Sequence, residues 1–239
     1  MWLPEKLQRD EIERRAERLV IDPLIHIVGM DYLKKRGLQF EELYTRVIKP
    51  RYGIKIIEGA DLSRMCDGRG AWGSYDPVSN VVLMDGKLCD ALGDPRRTFT
   101  LFHEVCGHGV LQGHWLRAQS RFPDRRTPLV DDGVSMDIHN RDALEWQANT
   151  MAGLCAAPLW LVNYRIVLGL RLNRSLRYIG PRRYWLGGRA FEIVSFEDYC
   201  RSIATLIKPY FGGLSAQALG YRVQRSKLVY NRQLPPRRC

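Results

Sequence analysis

The sequence is short of the features that mark several large classes of protein. Its most apolar stretches, residues 19–30 and 156–172, are broken by Asp22, Pro23 and His26 or by Asn163 and Arg165, so no membrane span is expected. The first residues, MWLPEKLQRDEIERRAERL, hold no apolar run of the kind a secretory signal needs. The 6 cysteines stand at gaps of 17 to 49 residues and never as a CxxC pair, which excludes a zinc ribbon and a disulfide scaffold. They read as reduced thiols in a cytoplasm, most of them buried as small apolar residues. Internal repeats and low-complexity runs are lacking as well. What is there, 239 residues of which 45% are hydrophobic and 26% charged, suffices for one or two packed domains and is too apolar for a disordered chain.

Charge is distributed unevenly. Of the net +11, residues 160–239 hold 15 Lys and Arg against 3 Asp and Glu, while residues 1–159 hold 22 against 23. A basic final third beside a near-neutral body suggests an anionic partner, either nucleic acid or an acidic protein face. A solvated Arg-rich surface without a partner gives the same composition.

Hydrophobic spacing places the elements. Ile12, Ala16, Leu19 and Val20 recur among charged residues as one face of a helix over 10–20, and a second helix is expected at about 38–49. GIKIIE (53–58) and NVVLM (80–84) are short, β-branched and bounded by turn residues, and AWGSY (71–75) ends at Asp76-Pro77. These predict a small antiparallel sheet, with 80–84 as an edge strand able to pair with an extended substrate. Asp94 followed by Pro95 opens a helix expected to run to about Gln112 and stop at Gly113, and a surface loop follows over 115–139. Helices are predicted at 141–157 and 159–172, a hairpin over 182–196 turning at Gly187-Gly188, and a helix-turn-helix-like pair over 197–211 and 215–226 with Ser215 as a cap.

Chemistry is concentrated in FTLFHEVCGHGVL (99–111). Two imidazoles and a carboxylate within about one helical turn are the parts of a zinc hydrolase, with His103 and His108 as metal ligands and Glu104 as general base. The histidines are at i and i+5, however, about 140° apart on a regular α-helix, against about 40° for the usual i, i+4 pair. A π-bulge absorbs one extra residue, and Gly107 and Gly109 ease the distortion. The spacing resembles that of the dipeptidyl peptidase III family, whose two histidines both bind zinc, a likeness limited to the motif. The alternative keeps the helix regular and pairs His103 with Cys106 at i+3. Downstream, Glu145 and Asn149 share one face of the 141–157 helix. Glu145 reads as the third ligand and Asn149 as a side chain that holds a ligand in place, while Ala148 and Ala152 allow close helix approach.

The order of these parts resembles the ImmA/IrrE family of metallo-endopeptidases. AWGSYD (71–76) leads into VVLM (81–84), RTFTLFHE (97–104) is close to the family's RFTLAHE, and EWQANTMA (145–152) with Ala157-Pro158 matches its ExxAN stretch and following Pro. The likeness spans roughly 10–230 and departs from the family in the extra residue of the HE motif and in Ala-Ala-Pro where Leu-Met-Pro is usual. It implies an α+β zincin-like fold, zinc on His103, His108 and Glu145, Glu104 as general base, and a helix-turn-helix transcriptional repressor as protein substrate. His139 and Tyr75 are candidate donors to the oxyanion of a tetrahedral intermediate. His26 and His114 read as ordinary surface or packed residues. Arg222, Arg225 and Lys227 on or near the last helix are in reach of phosphate if that segment binds nucleic acid, although packing or substrate docking is the favoured role. The expected organisation is a catalytic domain over 1–175 and a basic appendage over 176–239. The rival reading is a non-catalytic regulator that binds a protein or DNA through the basic third.

Overall fold

The computed structural model describes residues 6–64, 71–89, 94–120, 138–171 and 175–232, with 119–120 and 138–141 by backbone alone. The fold is mixed α+β. The chain divides into two units, Met1–Ile27 with Phe40–Ala156, and Val28–Gln39 with Ala157–Cys239. The sequence suggests instead a single cut after residue 175. The helix that starts at Leu159 packs on elements of the second unit, which is why the division falls ahead of it.

In chain order the helices begin with α1 (Arg9–Ala16), a π-helical turn (Glu17–Ile21), α2 (Asp22–Val28) and α3 (Met30–Arg36), the last belonging to the second unit. The first unit continues through α4 (Phe40–Leu43), a second π-helical turn (Tyr44–Ile48) and α5 (Lys49–Tyr52) into β1 (Lys55–Ala60), β2 (Gly73–Asp76) and β3 (Val81–Asp85). There follow α6 (Gly86–Cys89), α7 (Pro95–Leu101), a π-helix (Phe102–Gln112), α8 (Gly113–Ser120) and α9 (Ile138–Ala156). Ile12, Ala16 and Val20 are buried as their spacing predicts, and α1 packs against α9.

The sheet differs from expectation in two respects. Its order is β1-β3-β2, with β2 antiparallel and β1 parallel to β3. Residues 80–84 therefore lie in the central strand and not at an edge, and the exposed edges are β1 and β2. The physical reason is the tight β2 to β3 turn, where Asp76 accepts from Val78 N at 2.9 Å and Asn80 takes a positive φ of 58°. That turn commits one side of β3 to β2, and β1 takes the other side. Val82 and Met84, fully buried, suit a strand with neighbours on both sides.

Asp94 caps α7 as expected, accepting from Arg96 N at 2.8 Å with Pro95 in the first turn. The helix does not stop at Gly113. A glycine inside a helix costs only about 1 kcal/mol, and here a Cβ would lie 3.1 Å from the Tyr75 hydroxyl, so the residue makes room and the helix runs on to Ser120.

The second unit comprises α3, α10 (Leu159–Gly169), β4 (Leu176–Tyr178), β5 (Arg182–Leu186), β6 (Arg189–Ile193), α11 (Phe196–Ile207), α12 (Ala216–Val223) and β7 (Val229–Asn231). The β5–β6 hairpin turns at Gly187 and Gly188 with φ of 54° and 76°, the left-handed pair that matches strand twist. Ser195 and Ser215 cap α11 and α12, each accepting a backbone N–H at 3.0 Å. Parallel pairing of β4 with β7 was not foreseen from the sequence. Arg222 is buried and donates to Ala157 O at 2.9 Å, so it is a packing residue and not a phosphate contact; Arg225 and Lys227 are exposed. Among the described residues, no single helix is long and apolar enough to cross a membrane.

Two glycines give opposite expectations. At Gly107 a Cβ would meet Ala148 Cα and Cβ at 2.7 Å, so Gly107→Ala should lower stability by about 1–3 kcal/mol in urea unfolding. At Gly153, inside α9, nothing lies within 4 Å, and Gly153→Ala should raise stability by roughly 0.5–1 kcal/mol.

Candidate metal centre

The extra residue between the histidines is accommodated by a π-helix of 11 residues, longer than the single bulge the spacing requires. Hydrogen bonds from i to i+5 bring residue i+5 over residue i, so His108 lies above His103. Their Nε2 atoms are 3.0 Å apart and the rings meet edge to face. Close packing of this segment on α9 is possible because Gly107 lies against Ala148, as noted above. From α9, Glu145 brings its two carboxylate oxygens to 3.3 Å from His103 Nε2 and 3.5 Å from His108 Nε2. Glu104, adjacent to His103 in sequence, approaches to 4.0 Å.

Each imidazole is held from behind. His103 Nδ1 lies 3.1 Å from Asn149 Oδ1, and His108 Nδ1 lies 2.8 Å from Gln112 Oε1. An amide oxygen only accepts, so each Nδ1 carries a proton and each Nε2 is turned to the cluster. Gln112 is fixed in turn by donating to Leu144 O at 2.8 Å, which joins the π-helix to α9. The sequence predicts that Asn149 holds a neighbouring side chain in place, and it lies against His103; Gln112 was not singled out, although its place four residues after His108 is a readable signal.

Glu104 is buried under β2. A Cβ at Gly73 would lie 2.9 Å from Glu104 Cγ, and the Tyr75 backbone N–H bonds the carboxylate. Gly73 was overlooked, yet a glycine within a strand pattern signals close approach of another group. Burial raises the Glu104 carboxyl above its ordinary range; the two imidazoles oppose this only in part. Burial disfavours the charged form of His108, but Glu145, Glu104 and Gln112 outweigh it and hold the imidazole at about 9. For Glu145 burial acts upward, and the two imidazoles override it and keep the carboxyl far below the usual carboxylate range.

The remaining candidates fall elsewhere. The Tyr75 hydroxyl donates to Asn80 Oδ1 at 2.7 Å and accepts from Arg117 at 2.8 Å. This side chain is thus engaged away from the cluster, and Tyr75 contributes its main-chain N–H instead. His139 lies in the first turn of α9, with its side chain outside the described residues. Cys106 is buried and outside the cluster, against the reading that pairs it with His103. His26 and His114 are exposed.

His103, Glu104 and His108 offer ligand atoms within 4.8 Å of one another and could hold a metal ion. Two imidazole nitrogens 3.0 Å apart with carboxylate oxygens beside them need positive charge between them, as a proton or as a metal. The donor set fits a divalent transition metal. No family model matches the chain, and no characterised protein or solved structure matches it either.

Elemental analysis of side-by-side preparations tests the cluster. About one metal ion per chain is expected in the wild type and in Cys106→Ser, with near-complete loss in His103→Ala and His108→Ala. Gln112→Ala should weaken metal affinity by about 10- to 100-fold, the usual effect of removing a ligand's hydrogen-bond partner.

Proposed function

We propose that this chain is a zinc-dependent endopeptidase of zincin-like fold, in which His103, His108 and Glu145 hold the metal and Glu104 is the general base. The carrying observation is the convergence of both histidines and Glu145 on one point, made possible by the π-helix. Zinc held there would supply Lewis-acid activation of water and polarisation of a carbonyl. Glu145 is the third ligand in this reading because it lies closer to both Nε2 atoms than Glu104 does to His103. Glu104 takes a proton from the attacking water and delivers it to the leaving amine. Its burial, which raises the carboxyl above its ordinary range, suits a group that must accept a proton and return it. The Tyr75 N–H restrains one carboxylate and so sets the direction in which Glu104 acts.

Substrate access follows from the sheet. β2 is an edge strand and packs beside Glu104 through Gly73, so an extended peptide lying along it would run past the cluster, although the Tyr75 N–H of that edge is already taken by the Glu104 carboxylate. The resemblance of AWGSYD, RTFTLFHE and EWQANTMA to the ImmA/IrrE metallo-endopeptidases supports a regulatory protein as substrate, specifically a helix-turn-helix repressor, and a cytoplasmic setting. Incubation of the zinc-loaded chain with repressors of this type, starting with any encoded at a neighbouring locus, should yield discrete fragments. Glu104→Gln should retain zinc and lose about 10²–10⁴-fold in rate. Equal cleavage by wild type and Glu104→Gln would remove the general-base assignment, and no cleavage by either would remove the peptidase reading.

A non-catalytic regulator is the second reading, favoured by the β5–β6 hairpin. Arg182, Arg183 and Arg189 are exposed there beside Trp185, which is 72% exposed and has the Arg183 guanidinium 5.9 Å over its ring. Basic side chains interleaved with an exposed indole suit nucleic acid. This reading predicts DNA binding that weakens steeply with salt and is unchanged by Glu104→Gln. Absence of binding in a low-salt mobility-shift assay would remove its nucleic-acid form.

A further inference from the structure

The second unit contains a cavity of about 550 Å³ between α3, α10 and the segment leading into β7, formed by residues that take no part in the metal centre. It is wide open on one side, and its volume falls in the range of sites for small organic molecules, with part of any guest left in water. The walls are Met30, Trp160, Tyr164, Val167 and Leu228, which are apolar or aromatic and only partly covered by the protein itself.

Among the polar groups lining the cavity the two lysines are donors only, whereas Tyr164 and Asn163 offer both donors and acceptors. Lys34 Nζ lies 5.7 Å over the Tyr164 ring and 3.2 Å from the exposed Asp31, a pair of little strength in water. Lys227 is exposed and makes no ion pair among the described residues. Asn163 accepts from the Ser226 hydroxyl at 2.6 Å through Oδ1, which leaves its amide N–H groups to point elsewhere. The indole nitrogen of Trp160 is buried and has no hydrogen-bond partner among the described residues. A stranded N–H costs about 1–3 kcal/mol, but this one has no accessible surface and so lies behind the cavity wall. No carboxylate lines the cavity among the described residues.

From this lining we infer that the second unit binds a small molecule with an apolar body and a single anionic head, a carboxylate or a phosphate. The apolar walls take the body and Lys34 and Lys227 the head. A cation would meet two ammonium groups, only one of which has a carboxylate beside it among the described residues, that of Asp31 outside the lining. A neutral ligand would leave both lysines unused.

Isothermal titration of the full chain with octanoate and with octyl phosphate, using 1-octanol as the uncharged control, tests this. One anion per chain is expected, bound about tenfold or more tightly than octanol, as two partly exposed charge contacts allow. The better of the two anions identifies the head group. Lys34→Met with Lys227→Met should reduce both anions to the level of octanol. Val167→Trp, which crowds the apolar wall, should weaken all three, with the circular dichroism spectrum unchanged. Failure of both anions to saturate, or affinity unaltered by the two lysine substitutions, overturns the inference. Metal content should be unaltered throughout, so this outcome is separate from that of the peptidase test.

Discussion

The contact between Gly107 and Ala148 is the constraint on which the first unit depends. Backbone meets backbone there, and no side chain beyond a methyl group fits between. The π-helix and α9 can approach in this way only because both helices present small residues at the crossing. Glu145 and Asn149 then flank the contact at positions adjacent to the cluster, one on each side of Ala148 in sequence. Gln112, bonded to Leu144 O, extends the same interface by a polar link. Packing and site geometry are therefore one property, and the histidines are oriented by the same contacts that hold the helices together.

Within this frame the electrostatics are set by burial. Glu104 and His108 are both nearly inaccessible, yet they respond differently: burial outweighs the two imidazoles and the Tyr75 N–H that support the Glu104 carboxylate, whereas the carboxylates and Gln112 around His108 outweigh its burial. Glu145 is 43% exposed at its side chain and is held ionised by direct contact with both imidazoles. One carboxylate is thereby kept as a fixed charge and the other as a group able to change its protonation. That separation of roles is the usual result of giving two like groups different surroundings.

Much of this was legible in the sequence, for local reasons. Asp94-Pro95 specifies a helix start through side-chain and backbone chemistry confined to three residues. The i, i+5 spacing of the histidines demands a distorted helix if both are to meet, and a π-helix is what formed. Asn149 could be placed because one helical turn separates it from Glu145. The failures concern partners distant in sequence or main-chain atoms. Nothing in residues 53–58 reveals whether that strand runs with or against 81–85. Pairing of β4 with β7 joins residues some fifty positions apart. Arg222 looked solvent-directed because its acceptor is a carbonyl, Ala157 O, which carries no side-chain signature. Tyr75 looked available for the same sort of reason: its alternation in the strand is evident, but the turn that aims its hydroxyl at Asn80 and Arg117 is a tertiary arrangement.

The amides behind the two imidazoles have a consequence for ionic preference. Histidine ligands are often anchored by carboxylates, which add negative charge at each anchor. Here the anchors, Asn149 and Gln112, are neutral, so the negative charge within the pocket is that of Glu145 and, when it is ionised, Glu104. Two negative charges balance a divalent cation. A monovalent ion would leave one negative charge uncompensated, and a trivalent ion one positive charge, in surroundings where unbalanced charge is expensive. A metal held there would thus have its charge balanced by the two carboxylates, with nothing added by the anchoring amides.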